Sequence, residues 1–138
     1  MPFLNGFWYN FDFLCQPNTW IMKKIYHLGT CSTCQRILKE LEPLDGIQLQ
    51  EIKTEPITEE QLDEMKALSG SFESLFSKRA MLFRQRGLHE KQLSESDYKA
   101  LILEQYTFLK RPVILVDGQI FIGNSKKTVQ AAKEALYP

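Results

Sequence analysis

The chain has 138 residues, 43% of them apolar and 25% charged, with no net formal charge. That is enough for one domain with a real core and excludes a multidomain protein; the zero balance removes any long-range field toward nucleic acid or an anionic membrane surface. Three cysteines are too few for a disulfide scaffold, which places the expected compartment in the reducing cytoplasm.

Residues 1–21 differ from the rest. Seven aromatic residues, from Phe3 to Trp20, share the segment with one charged side chain, Asp12. The segment lacks the basic start of a secretory signal and is too interrupted to span a membrane. Met22 immediately precedes Lys23-Lys24, so the expected native start is Met22, with 1–21 arising from an upstream start-site assignment. An aromatic arm packing on the domain or on a partner is the alternative. Residues 22–138 then form a single domain.

Ile25 to Leu28 reads as a short strand running into a Gly29-Thr30 turn. Cys31-Ser-Thr-Cys34 follows, and a helix from about Ser32 to Leu41 carries Ile37, Leu38 and Leu41 on one face. A C-x-x-C between a strand and a helix is the arrangement of a thiol–disulfide site. The helix directs its first free N–H groups and the positive end of its dipole at the preceding sulfur. A cysteine with a free pKa of ~8.5 can fall to roughly 3.5–7.5 in such a place. Structural zinc is the competing reading of the pair. It needs two further ligands from Cys15, His27 and His89, which form no second paired knuckle, so no metal is expected.

Pro43 and Asp45-Gly46 mark a stop and a turn, and Ile47 to Ile52 alternates as a half-buried strand. Two strands joined by so short a helix predict a parallel β-α-β unit with a right-handed crossover. Thr58 with Gln61 fits a capping box for a helix carrying Leu62, Met65 and Leu68. Phe72, Leu75, Phe76, Met81, Leu82 and Phe83 read as one or two short core-packed helices, closed by Gly87. Ser94 or Ser96 caps another, with Tyr98, Leu101, Ile102 and Tyr106 at helical spacing. Arg111-Pro112 precedes the buried strand Val113–Val116. Asp117-Gly118 signals a two-residue hairpin into Gln119–Ile122, and Asn124 or Ser125 caps a last helix carrying Val129, Ala132 and Leu136.

The order β-α-β, helical insert (about 56–106), β-hairpin, helix is an α/β thioredoxin-like layout: a mixed four-stranded sheet flanked by helices. In that topology the start of the first helix faces the loop into the third strand, which brings Cys31 near Arg111 and Pro112.

From about Lys23 to Leu136 the chain resembles the arsenate reductase/Spx family. The resemblance rests on Ile25-Tyr-His-Leu-Gly-Thr-Cys-Ser-Thr-Cys34, Ser77-Lys-Arg-Ala80, Phe108-Leu-Lys-Arg-Pro-Val-Ile-Leu115 and Gly123-Asn-Ser-Lys-Lys127. It implies Cys31 as the catalytic nucleophile, Cys34 as resolving or tuning thiol, and Arg111 as oxyanion clamp or thiolate partner. His27 matches a histidine close to that cysteine, and Pro112 a proline that is cis in the family. His27, Thr30, Ser32, Arg79 and Pro112 are the candidate substrate-binding residues. A protonated His27 would help Arg111 stabilise the thiolate; a packed strand residue is its plainer reading.

Two departures stand out. Glutaredoxin-coupled arsenate reductases hold the anion with three arginines, whereas here the first falls near Glu73 and the last near Gly123. A carboxylate there repels arsenate, leaving Lys78, Arg79, Lys126 and Lys127 as replacements or as solvated surface. Cys34 is the second, since those reductases usually lack it and Spx-type regulators carry C-x-x-C. The expected function is therefore a thiol-dependent oxidoreductase acting on a small thiol or oxyanion. No cofactor is held; glutathione, glutaredoxin or thioredoxin is the expected reductant. The alternative is a redox-switched regulator that binds RNA polymerase without touching nucleic acid directly.

Overall fold

Strands β1 (Lys23–His27) and β2 (Gln48–Glu51) run parallel in the computed structural model, which describes residues 23–138. The expected start at Met22 and segment 1–21 lie outside the described residues. Helix α1 (Ser32–Glu40) crosses between the two strands. Strands β3 (Val113–Val116) and β4 (Gln119–Ile122) form the antiparallel hairpin, and β3 lies antiparallel to β1. The resulting order, β2-β1-β3-β4, is the expected mixed four-stranded sheet. Asp117 and Gly118 both take positive φ, 47° and 87°, as a two-residue turn matching the sheet's twist demands.

The strands alternate cleanly between two cores. Ile25, Ile114 and Val116 face α1 and the closing helix α5 (Lys126–Leu136), meeting Ile37, Leu41, Val129 and Ala132. Tyr26, Val113 and Leu115 face the other way, into the insert. A one-residue slip of either central strand would exchange the two sets, so the side chains pin the register. Both strands of the β-α-β unit are shifted or shorter than expected. β1 begins at Lys23 and stops at His27, because the Leu28 carbonyl accepts the Cys31 N–H at 3.1 Å and turns the chain. β2 stops at Glu51, whose carbonyl accepts from Glu55 at 2.8 Å.

The insert contains α2 (Glu59–Ser69), α3 (Met81–Gln85), α4 (Glu95–Glu104) and three single 3-10 turns. Both bonds of the Thr58/Gln61 capping box are present, and Gly70 closes α2 at φ 98°. Ser94, not Ser96, caps α4, since Asp97 returns the bond to its backbone. Phe76 anchors the insert: its ring lies 4.9 Å from Tyr98, 5.0 Å from Phe108 and 5.7 Å from Phe83. Two expected core residues sit elsewhere. Met81 is 76% exposed at the start of α3 and Leu68 is 38% exposed; both helices are short and turn only a narrow face inward. Tyr106 leaves α4 for a 3-10 turn, Tyr106–Phe108, but still packs half-buried against the insert core as expected.

The insert is tied to the sheet beside the site. Phe76 bridges to Leu109, Ser77 N–H donates to the Phe108 carbonyl at 2.7 Å, and Lys110 N–H donates to that of Leu75 at 2.8 Å. The backbone leading into Arg111 is thereby paired with the insert in the manner of a short antiparallel ladder. Ser125 caps α5, accepting the Thr128 N–H at 3.1 Å. Among the described residues no helix is long and apolar enough to cross a membrane.

Candidate functional site

Cys31 occupies the N-cap of α1 with extended backbone angles, φ −94° and ψ 116°. No hydroxyl or carboxylate caps this helix; the amides of Thr33 and Cys34, its second and third helical residues, favour the Cys31 anion. Burial pushes the Cys31 thiol up, but the Cys34 amide, the Cys34 S–H, the Thr33 amide and the Arg111 charge outweigh it. The net direction is downward, toward thiolate. Cys31 is half-buried, and both thiols are free. Cys34, one turn along, is 1% exposed. Its thiol is pushed up to about 11, first by burial and then by the neighbouring Cys31 sulfur, against the opposing pull of the Leu28 backbone and Arg111. The pair is thus divided into one sulfur that ionises easily and one that holds its proton.

Arg111 arrives from the far half of the chain. Tyr26 of β1 pairs with Val113 of β3, so residues just after Tyr26 and just before Val113 share one end of the sheet. The Arg111 Nη1 donates to the carbonyls of Leu109 at 3.2 Å and Thr107 at 3.4 Å, while its Nε is buried without a partner. Its charge lowers the pKa of both cysteines. The Arg111–Pro112 peptide is cis, Pro112 is buried, and its carbonyl accepts the Gly123 N–H at 2.9 Å.

Beside Arg111 open two adjoining clefts of about 690 and 550 Å³, which share Ser77, Arg79 and Arg111 in their walls. The larger is cationic: Lys78, Arg79, Lys110 and Arg111 line it, with Gly123 and Ser125 at its far side. Glu73 lines it too, but its carboxylate is bound by Lys78 at 3.0 Å, which holds it below the ordinary carboxylate range and offsets its charge. The expected repulsion of an anion by Glu73 is therefore blunted. Lys126 and Lys127 are exposed and do not line either cleft, so of the four candidate replacements Lys78 and Arg79 face the anion's space.

Among the other candidates, Thr30 and Ser32 flank Cys31 and are exposed. His27 ends β1, half-buried, with Nδ1 buried and unpartnered. Burial lowers its pKa against the opposing charge of Glu51. That direction disfavours the protonated form of His27; the positive charge acting on the sulfur comes from Arg111. Cys31, His27, Thr30 and Ser32 do not line the clefts; Arg111 lines both clefts, and its charge acts on both cysteines. No three His, Cys, Asp or Glu side chains among the described residues are grouped as a metal ion requires.

Sequence reasoning missed a second layer. Glu51 accepts the Gly29 N–H at 2.6 Å, and Gln35 Nε2 donates to the Gly29 carbonyl at 2.5 Å. Glu51 reads only as the end of an alternating strand, and nothing in the order of residues joins it to the Cys31 turn. The parallel pairing of Glu51 with His27 does that.

No curated protein matches the chain by sequence. Among solved structures, the arsenate reductase from Vibrio cholerae superposes with a TM-score of 0.68 at 20% identity, covering 83% of this chain and 98% of that one. An arsenate reductase-related protein from Brucella melitensis gives 0.63 at 23%, covering 80% and 92%. These likenesses establish the fold. A family model extends the match to sequence over residues 26–132, from the strand before Cys31 to within the last helix. On that span the chain belongs to the ArsC family.

Proposed function

We propose that this protein is a thiol-dependent oxidoreductase in which Cys31 is the nucleophile and Cys34 the resolving thiol. The observation that carries this reading is the Cys31 sulfur at the helix start, with the Thr33 and Cys34 amides and the Arg111 charge all favouring its anion.

Cys31 thiolate attacks one sulfur of an oxidised thiol, and the S–S electron pair leaves with the other sulfur. The new mixed disulfide has lost the Cys31 charge. Two of the influences that raise the Cys34 pKa, that charge and the hydrogen bond to Cys31, vanish with it, while the pull of Arg111 persists. Cys34 then gives up its proton and attacks Cys31; a Cys31–Cys34 disulfide forms and the second half of the substrate leaves as a thiol. Two electrons from an external thiol, supplied by glutathione, glutaredoxin or thioredoxin, restore the dithiol.

With arsenate as substrate, Cys31 displaces one oxygen, which leaves as water after protonation. A second thiol attacks the Cys31 sulfur, and the arsenic takes the bonding pair as the two sulfurs are oxidised. The cationic cleft beside Arg111 suits an anionic co-substrate of either kind.

The test is turnover of arsenate, and separately of a small disulfide, with glutathione plus glutaredoxin or with thioredoxin, in wild type, Cys31→Ser and Cys34→Ser. Loss of turnover in Cys31→Ser is the expected result. Absence of turnover in wild type, with redox-dependent capture of RNA polymerase subunits, would overturn the enzyme in favour of a regulator.

A further inference from the structure

Gly29 lies two residues before Cys31, in the turn closed by the Cys31 N–H on the Leu28 carbonyl. Turns of this kind on a protein surface are usually held by their own backbone. Here two side chains from different elements hold one residue: Glu51 Oε2 accepts its N–H and Gln35 of α1 donates to its carbonyl. The other oxygen, Oε1, accepts from the Lys53 amide at 3.0 Å, the Thr54 amide at 2.9 Å and the Thr54 hydroxyl at 3.0 Å. The amides of Gly29 and Thr54 hold this carboxyl down to about 2, so it remains an anion across the working pH range. The fit at Gly29 is close, since a Cβ there would lie 3.2 Å from Oε2.

We propose that Glu51 is a positioning residue for Cys31: its carboxylate ties the end of β2 to the Gly29 amide and, with Gln35, holds the Leu28–Cys31 turn so that the sulfur stays over the α1 amides. This rests on the reading of Cys31 as the nucleophile. A charge-assisted bond to an amide is among the stronger restraints a protein can place on a loop. Glu51 reaches the turn because the parallel register sets it opposite His27, two residues before Gly29.

Three variants separate reach from charge. Glu51→Ala removes both. Glu51→Gln keeps one acceptor at the same reach for Gly29, without the charge and with an NH2 in place of the oxygen that serves Lys53 and Thr54. Glu51→Asp keeps the charge and can still serve the adjacent Lys53–Thr54 turn, but is one methylene too short for Gly29. Hydrogen exchange at the Gly29 amide, thiolate titration of Cys31 and its rate with an aromatic disulfide are measured, with urea midpoints as the stability control.

Glu51→Ala and Glu51→Asp are expected to speed Gly29 exchange by about tenfold or more, to move the Cys31 titration up and to slow its reaction, with Glu51→Gln between them and wild type. Unchanged Gly29 exchange in Glu51→Ala overturns the proposal. So does the reverse order, Asp like wild type and Gln the more impaired, which would assign the effect to charge on His27. Should Glu51→Ala not fold, the Gln–Asp contrast decides alone. A wild-type Cys31 that titrates as free cysteine would refute the nucleophile reading, while Gly29 exchange would still judge the clamp.

Discussion

Cys34 makes a prediction in alkaline solution whose sign is fixed by its burial. The folded thiol is raised from 9.0 to about 11, whereas the unfolded chain frees it to ionise normally. Below about pH 9 both states hold the proton and the stabilisation is fully present. As pH rises further, the unfolded state releases its proton first and gains, until the folded thiol also ionises near 11. A displacement of about two pH units at 1.4 kcal/mol each gives roughly 3 kcal/mol lost across that window. Cys34 is 1% exposed, so solvent screening takes little from this figure. Urea unfolding of fully reduced protein, from neutral to about pH 11, compares wild type with Cys34→Ala. The wild type is expected to lose the additional 3 kcal/mol or so, and the alanine variant to lack that component. Cys31→Ser should show a smaller but nonzero loss, because burial, the largest cause of the raised value, survives removal of the neighbouring sulfur. Parallel pH profiles for wild type and Cys34→Ala would refute the assignment of Cys34 as the protonated partner.

Replacing Phe76 with Ala empties the ring stack against Tyr98 and Phe108 and should cost about 3–5 kcal/mol in urea unfolding. Thr58→Ala deletes the α2 cap and should cost about 1 kcal/mol by the same assay, with the thiol chemistry unchanged. Arg111→Met removes the one charge that favours both thiolates: the Cys31 titration should move up, and its reaction with a negatively charged disulfide should slow more than with a neutral one. Equal slowing with both probes would place Arg111 outside the anion's path. Because the Cys31 pKa is lowered, its reaction rate should hold below the pH at which a free cysteine loses reactivity, and fall only as pH drops through the depressed value.

What the chain determined by itself is local. Asp117-Gly118 makes its hairpin because two adjacent residues accept positive φ; Thr58 with Gln61 and Ser94 with Asp97 close their own helix starts within three residues. Cys31 at a strand–helix junction already announces a sulfur under free amides, because helix geometry delivers those N–H groups whatever surrounds them. The strand alternation that divides Ile25 from Tyr26 was equally readable, and with it the two-faced sheet.

Tertiary structure decided everything that joins distant residues or depends on how much water reaches them. Met81 and His27 show the second kind: an apolar residue left outside and an imidazole whose pKa burial lowers, both set by what packs around them. Glu51 shows the first: its carboxylate, 22 residues from Gly29 in sequence, is carried by a parallel neighbour to the turn before Cys31. Hydrogen bonds and ion pairs act over a few ångströms, and residue order does not encode which side chains come within that distance. Sheet register does.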